Sequence, residues 1–229
     1  MVSRLGMGYA LKLLIGIPSP RDIPQFIEAI AKIPYDKVWI KNAGMELEPY
    51  KRMRDFFLSH KEYTHLAICS DDLIVHPEGV EQLIDRAEEY PLIMGICNVD
   101  INDHPDGLMA ISRIEPAGKE EGRRYHFYRR SELDGIIRVP WAGFAFAIFR
   151  RDIVEKIKFD DDGRWNYGRH VGANDIAMCH DLNELDIPIM VDTSVYFYHH
   201  RIRKELFSKE PPAIWHEHDG IKDIVPSNF

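Results

Sequence analysis

The sequence predicts a single α/β domain whose central sheet is mostly parallel and is covered by helices on both faces. Between residues 11 and 100, short apolar runs typical of strands alternate with segments that have the 3.6-residue period of amphipathic helices. In the second half, strand-like runs follow one another more closely, which predicts a smaller antiparallel part. With 229 residues, 45% of them hydrophobic, the chain is long enough to bury one large core.

In the first half, strands and helices are predicted in strict alternation. The first strand is an apolar run that ends at a proline, and the third helix begins with Pro77, a residue that suits the first turn of a helix. The predicted strands are residues 11–18, 36–44, 64–70 and 91–99. The predicted helices are residues 23–33, 46–60 and 77–90.

The second half is less regular. Two antiparallel strands are predicted around a charged, glycine-containing segment, which suggests a mobile hairpin at residues 106–130. A strand followed by a helix is predicted over 139–157, a helix over 172–187, and one or two closing strands over 188–200. Three prolines in the tail, residues 201–229, predict surface wrapping with little regular structure.

The composition limits the possible compartments and partners. A formal charge of -8 disfavours a nucleic-acid partner and suits a protein that meets anionic ligands through a metal or local basic groups. Cys69, Cys97 and Cys179 lie in apolar surroundings, which predicts buried, reduced thiols and a cytoplasmic location. No apolar run is long enough to span a membrane, and the first apolar run does not resemble a signal peptide.

Ser70, Asp71 and Asp72 follow the third predicted strand. In open parallel sheets, ligands bind at the carboxyl ends of the strands. Two adjacent carboxylates repel each other unless a cation, a proton or helix-end N–H groups neutralise them, and Mg²⁺ is typically bound by one or two carboxylates plus substrate phosphates. The pair therefore indicates either a divalent metal site or a turn that satisfies the N–H groups before Pro77.

Two further candidates lie near the C-terminal end of the predicted sheet. Asp175 follows Gly172 and Asn174 at a helix start, where it could act as a general base or simply interact with the helix dipole. His199 and His200 end a strand, so they point to opposite faces and at most one of them can face a given site. A histidine at that place is either a ligand or a surface residue.

The order of these features resembles the GT-A fold glycosyltransferases, the nucleotide-diphospho-sugar transferases. In that family a βαβ nucleotide-binding half ends at a D-x-D-type motif, which corresponds to CSDDL here. A glycine-containing strand before F-R-R follows, here WAGFAFAIFRR, and then a glycine, acid and aspartate segment that opens a helix, here GANDIAMC. Finally, a histidine follows an aspartate by seven residues on the closing strand, as His199 follows Asp192. The similarity extends over residues 11–200.

The resemblance implies a fold, a reaction and partners. One GT-A-like, Rossmann-like domain would span residues 1–200, with a nucleotide-binding half at 11–100 and an acceptor-side half at 101–200, and residues 201–229 would pack on its surface as a tail. The protein would be a metal-dependent glycosyltransferase that uses Mn²⁺ or Mg²⁺ and a nucleotide-diphosphate sugar donor. Whether the acceptor is a glycan, a lipid-linked molecule or a protein does not follow from the sequence.

Roles for individual residues follow from the resemblance. Asp72 would bind a divalent metal on the donor diphosphate, His199 would be a further ligand, and Asp175 would deprotonate the acceptor hydroxyl with inversion. The implied contacts to the nucleotide or sugar come from Pro18, Ser19, Asn42, Ser70 and Asp71. The implied acceptor and sugar pocket contains Trp141, Gly143 and Asn174, with an exposed face of Trp141 stacked on a sugar ring.

The sequence departs from the family pattern at two positions. Ser70 replaces the first acid of D-x-D, which removes one possible carboxylate and raises the question of metal dependence. Asn174 replaces the usual glutamate before Asp175, which keeps a hydrogen-bonding side chain without its charge. If Asp175 is not the base, transfer would instead retain configuration, with the donor phosphate taking the proton.

Two other functions remain compatible with this sequence. A nucleotidyltransferase on a similar scaffold is one, although its usual glycine-rich, Lys/Arg-containing loop is absent after the first strand. A non-catalytic protein that binds sugar nucleotides is the other.

Basic and histidine-rich segments give weaker indications. Arg123, Arg124, Arg129 and Arg130 form either a solvated hairpin face or a guide for an anionic acceptor such as a lipid-linked phosphate, with at most a peripheral membrane contact. His216 and His218 lack a third clustered ligand, so a zinc site is not predicted there.

Overall fold

The computed structural model describes residues 11–18, 23–40, 48–99, 107–114, 126–159, 174–200 and 221–224. Within these ranges the helices are α1 (Pro24–Ala31), α2 (Glu48–Ser59), α3 (Pro77–Ala87), α4 (Arg151–Lys156) and α5 (Asn174–Glu184), with a 3-10 turn at Arg130–Glu132. The strands are β1 (Leu13–Pro18), β2 (Asp36–Ile40), β3 (His65–Ile68), β4 (Leu73–Ile74), β5 (Leu92–Ile96), β6 (Leu108–Ser112), β7 (Phe127–Arg129), β8 (Ile136–Val139), β9 (Trp141–Ala142), β10 (Ala147–Arg150), β11 (Ile189–Tyr196), β12 (Tyr198–His199) and β13 (Ile221–Ile224).

A mixed, mostly parallel sheet forms the centre of the protein, with the strand order β13-β2-β1-β3-β10-β5-β11-β8. The first four strands in this order are parallel neighbours, as are β5 and β11. β10 runs antiparallel between β3 and β5, and β8 is an antiparallel strand at the edge. The predicted α/β class with a mostly parallel sheet is therefore confirmed.

Helices cover both faces of this sheet. Alternate residues of a strand point to opposite faces, so in β1 Leu13 and Ile15 join the core beneath α1 and α3, while Leu14 joins the core beneath α2, α4 and α5. Both cores are apolar and closed to solvent. The prediction that helices cover both faces of the sheet is confirmed by these two cores.

The antiparallel strand β10 was not expected between the parallel strands. Residues 139–157 form two short strands, β9 and β10, before α4 instead of one, because the backbone turns at Gly143–Phe146, where Phe146 has a positive φ of 52°. Ile148 packs into one core and Phe149 into the other. A run that is apolar on both faces suits a central strand, and this explains how β10 fits between β3 and β5.

Two small antiparallel sheets complete the described fold. β12 pairs with β4, and β6 pairs with both β7 and β9. The pairing of β6 with β7 confirms the two antiparallel strands predicted over 106–130, whereas the charged segment between them lies outside the described residues. Arg123, Arg124, His216 and His218 also lie outside them.

The C-terminal tail contributes one element to the sheet. Residues 221–224 form β13, which pairs in parallel with β2, so the expectation of little regular structure in the tail is wrong for these residues. The three cysteines are free and buried, as predicted. Among the described residues, no helix is long and apolar enough to cross a membrane.

Candidate functional site

A short antiparallel ribbon brings Asp72 and His199 together. After β3, the backbone turns, and the N–H group of Leu73 donates to the carbonyl of Ser70 at 3.2 Å. β4 then pairs with β12, with Leu73 opposite His199, and the N–H group of His200 donates to the carbonyl of Asp72 at 2.7 Å. This pairing places both side chains at the carboxyl end of β3, where ligands bind in open α/β sheets.

Each carboxylate oxygen of Asp72 has a polar neighbour. The hydroxyl of Ser70 donates to Oδ1 at 2.8 Å, and Nε2 of His199 lies 3.2 Å from Oδ2. The Asp72 side chain is 14% exposed, so it is largely withdrawn from bulk water but still reachable from the surface. The arrangement holds the carboxylate in one orientation.

The contacts of His199 define which of its nitrogens carries a proton. Nδ1 lies 3.1 Å from the carbonyl oxygen of Asn98. Because a carbonyl can only accept, Nδ1 must carry the proton and donate. Nε2 then faces the Asp72 carboxylate with either a second proton or a lone pair, and in the second case a cation between the two groups removes the repulsion.

Asp72 and His199 open onto a cleft of about 330 Å³. Several residues predicted for the site line this cleft together, namely Ser70, Asp72, Trp141, Gly143, Asp175 and His199. They come from the end of β3, the β9 to β10 connection, the start of α5 and β12. The cleft therefore joins the two halves of the chain that the sequence analysis treated as donor side and acceptor side.

Asp175 reaches the cleft from the first turn of α5. Its Oδ1 accepts a hydrogen bond from the backbone N–H of Ile176 at 2.9 Å. Side chains further along the helix hold it against the strands before the cleft: Asn183 donates to the carbonyl of Pro140 at 2.8 Å, and Cys179 to the carbonyl of Ala142 at 3.6 Å. α5 therefore presents a carboxylate to the cleft from a fixed position.

Gly143 permits a close approach of two strands at the cleft wall. Its N–H group donates to the carbonyl of Ala110 at 2.8 Å, and a Cβ at this position would lie 3.3 Å from the Cβ of Ala110. A side chain here would push against β6. The absence of a side chain at Gly143 therefore allows this short distance to Ala110 on β6.

The prediction of an exposed Trp141 ring is wrong. Trp141 lines the cleft but is only 5% exposed, and it packs near Phe127 with ring centroids 6.1 Å apart. The half-buried rings in the wall are those of Tyr50 and Phe144.

Two of the residues predicted to contact the nucleotide, Asp71 and Pro18, do not line this cleft. Asp71 is 1% exposed. Burial raises the pKa of the neighbouring Cys69 thiol well above its usual value, and the charges of Asp72 and Asp71 act in the same direction. Pro18 is buried at the end of β1, in register with Ile40. Ser19, Asn42 and the side chain of Asn174 lie outside the described residues. Their predicted roles stay predictions.

The sequence analysis missed Asn98, Tyr50 and Phe144 as lining residues. Asn98 follows the strand β5, so the rule that ligands lie at the carboxyl ends of parallel strands could have identified it. Tyr50 lies in the first turn of α2, and no local signal distinguishes it from a core residue. Phe144 lies in an apolar run that reads as a single strand.

The residues present fit a divalent cation that is bound partly by the protein and partly by a substrate. Among the described residues, no group of three or more His, Cys, Asp or Glu side chains forms a complete metal cage. For a bound divalent cation, Asp72 and His199 would be two ligands, and Mg²⁺ is commonly held by one or two carboxylates together with substrate phosphates. The 3.2 Å between Oδ2 and Nε2 suits two adjacent ligands of one ion, because ligands about 2.1 Å from an octahedral ion are roughly 3 Å apart.

Comparison with known proteins gives information on the fold alone. The chain matches no protein-family model and no curated protein sequence. Among solved structures with a similar fold is the crystal structure of A197 from STIV, with a TM-score of 0.58 and 17% sequence identity. The alignment covers 84% of this chain and 87% of that chain. At this identity the likeness concerns the α/β architecture.

Proposed function

We propose that the protein is a metal-dependent glycosyltransferase of the GT-A type, which moves a sugar from a nucleotide-diphosphate donor to an acceptor hydroxyl. The observation that carries this proposal is the contact between Asp72 and His199 at the carboxyl end of β3, in one cleft with Asp175. The sequence resemblance assigns the same three residues to the metal and to the base. They derive from distant parts of the chain, and nothing local requires them to meet.

The charges of the cleft favour a metal-bound donor. The described residues that line it include two carboxylates and no lysine or arginine. A diphosphate would be repelled by these carboxylates unless a cation lay between them, and a divalent ion on Asp72 and His199 would provide it. When bound, Mn²⁺ or Mg²⁺ would offset the negative charge that develops on the departing diphosphate.

Asp175 is the proposed general base. Its Oδ1 accepts a hydrogen bond from the N–H group of Ile176, which orients the carboxylate at the cleft wall, and this carboxylate is proposed to take the proton of the acceptor hydroxyl. The deprotonated oxygen attacks the anomeric carbon of the donor while the bond from that carbon to the diphosphate oxygen breaks. This direct displacement inverts the configuration at that carbon.

Aromatic side chains of the cleft would hold the sugars. Tyr50 and Phe144 present half-buried rings to the same space as Asp175 and Asp72. A sugar ring has an apolar face that packs on an aromatic side chain and hydroxyl groups that bond to polar neighbours. The cleft thus combines the two kinds of contact that a sugar requires.

A thermal-shift screen of nucleotide-diphosphate sugars, with and without Mn²⁺, tests the proposal. A donor that binds the native state raises the melting temperature, and we expect this rise to require Mn²⁺. Asp72→Asn should remove the rise, because the amide keeps the shape of the side chain without its charge. Asp55→Asn on the exposed surface of α2 is the matched control and should keep it.

Product analysis separates this function from its alternatives. Release of nucleoside diphosphate with sugar transfer supports the proposal, whereas pyrophosphate release from a nucleoside triphosphate and a sugar phosphate would indicate a nucleotidyltransferase. Donor binding without transfer or hydrolysis across a broad acceptor panel would indicate a binding protein. No stabilisation by any nucleotide diphosphate would overturn the proposal.

A further inference from the structure

Ser70 stands where the family pattern has the first acid of the D-x-D motif, and its hydroxyl has a specific contact. Oγ lies 2.8 Å from Oδ1 of Asp72 and donates to it, because a carboxylate can only accept. Ser70 is half-buried and lines the cleft beside Asp72. The serine is therefore part of the site.

The contact divides the two oxygens of Asp72 between two neighbours. Oδ1 faces the hydroxyl of Ser70, and Oδ2 faces Nε2 of His199 at 3.2 Å. A carboxylate anchored through one oxygen cannot rotate freely about its Cβ–Cγ bond, so the other oxygen keeps its direction toward His199 and the cleft. Hydrogen bonds of this kind orient metal ligands and are needed for full metal affinity.

A second carboxylate at position 70 would have the opposite electrostatic effect. Two carboxylates at hydrogen-bonding distance cannot both ionise without a cation, because each charge disfavours the other. The neutral hydroxyl instead donates a hydrogen bond to the Asp72 carboxylate, so it orients this side chain without adding a second negative charge beside it.

We infer that Ser70 is a positioning residue, whose hydroxyl orients the Asp72 carboxylate for binding of a divalent cation in place of a second acidic ligand. This inference rests on the proposed function, since it assumes that Asp72 and His199 bind the cation. At this position of the D-x-D motif, the hydrogen-bond donor Ser70 then replaces an acidic side chain.

The test measures Mn²⁺ binding directly, by titrating the purified full chain with Mn²⁺ and following the free ion by electron paramagnetic resonance. We expect Ser70→Ala to weaken Mn²⁺ binding by roughly 10- to 100-fold. Ser70→Thr keeps the hydroxyl and should restore binding close to that of the natural protein. Rescue by threonine depends on the hydroxyl, and a general packing effect at this position would not produce it.

The chain contains a matched control for the same local contact. Ser194 donates to Oδ1 of Asp192 at 2.5 Å, with the same two-residue spacing, and neither residue lines the cleft. Ser194→Ala should therefore leave Mn²⁺ affinity unchanged. Circular dichroism and thermal melting of each variant check that the fold is retained.

The outcomes distinguish failure of this inference from failure of the proposed function. If Asp72→Asn abolishes Mn²⁺ binding while Ser70→Ala binds as the natural protein does, the inference on Ser70 is overturned and the metal site stands. If threonine fails to rescue a folded protein, the hydroxyl is not what matters and the inference is again wrong. If the natural protein does not bind Mn²⁺, or Asp72→Asn binds normally, both proposals are overturned.

Discussion

Nε2 of His199 lies 3.2 Å from Oδ2 of Asp72, and this contact exists because the two-residue strands β4 and β12 pair with each other. Nδ1 of His199 is already committed to the carbonyl of Asn98. The ring therefore has one nitrogen that holds its orientation and one that faces the carboxylate. This is the arrangement expected of a metal-binding histidine, whose second nitrogen is usually hydrogen-bonded to a carbonyl or carboxylate.

Replacing His199 by alanine should weaken Mn²⁺ binding by about 10-fold or more, because one of the two proposed protein ligands is lost. The measurement is the dissociation constant from the same Mn²⁺ titration. His180→Ala is the matched control, since Nε2 of His180 also lies 3.2 Å from a carboxylate, that of Glu184, on α5. Equal effects of the two substitutions would contradict a metal role for His199.

Asp175→Asn should leave donor and Mn²⁺ binding intact but lower the rate of transfer by about 100-fold or more, because the amide cannot accept the acceptor proton. The thermal shift with donor and Mn²⁺ reports binding, and release of nucleoside diphosphate in the presence of acceptor reports turnover. Asp186→Asn serves as the control because Asp186 is exposed and has a φ of 52°, a conformation that asparagine tolerates. Unchanged turnover in Asp175→Asn would favour a retaining reaction in which the donor phosphate takes the proton.

Gly16→Ala should lower the free energy of unfolding by about 1–3 kcal/mol, because a methyl group on β1 would overlap the side chain of Met53 on α2. Urea denaturation measures the effect. In a Met53→Ala background the same substitution should cost less, since the obstructing atoms are gone and the two positions are in contact. Strictly additive costs of the two substitutions would show that the overlap is relieved elsewhere.

Acid should destabilise the protein through His65. Burial, together with the positive charge of Arg150, lowers the pKa of His65 to about 4, although Asp152 and the carbonyl of Ala87 act in the other direction. The unfolded chain has a histidine pKa of about 6.5, so between these values it binds a proton that the native state does not. The stabilising contribution is therefore complete above about pH 6.5 and is lost as the pH falls toward about 4.

The expected loss of unfolding free energy from His65 is up to about 3 kcal/mol. Urea denaturation at a series of pH values measures it, and His65→Gln should flatten the profile in this range because glutamine does not titrate. His180→Gln on the surface of α5 is the control, and its profile should follow that of the natural protein. A profile for His65→Gln as steep as the natural one would assign the acid sensitivity to other groups.

Part of the candidate site could be recognised from the sequence because local patterns carry it. The position of Asp72 follows from an apolar strand that stops at polar residues, and that of Asp175 from a helix start. Both depend on neighbours in the chain. The opposed directions of His199 and His200 also follow from strand geometry. In the structure His199 faces Asp72, whereas the ring of His200 lies 6.2 Å from that of Tyr198, two residues earlier.

The environment of Trp141 could not be predicted in this way. The family resemblance implied an exposed ring beside a sugar, whereas packing near Phe127 from β7 buries it. Tyr50 on α2 shows the opposite case, because it lines the cleft and is only half-buried, although no local pattern distinguishes it from a core residue. Burial of a large side chain depends on which distant element covers it, and hydrophobic periodicity reports only which face of its own element it occupies.

The sequence by itself determined the alternation of strands and helices, the burial of the three cysteines and the acidic pair at the end of β3, since each depends on residues close in the chain. Only the tertiary structure decided that β10 lies between β3 and β5, that β13 extends the sheet, and that β4 and β12 join Asp72 to His199. Several segments that are distant in the chain have similar apolar patterns, so each strand has more than one possible partner. Their packing against the helices on both faces selects one arrangement, and no local pattern encodes that competition.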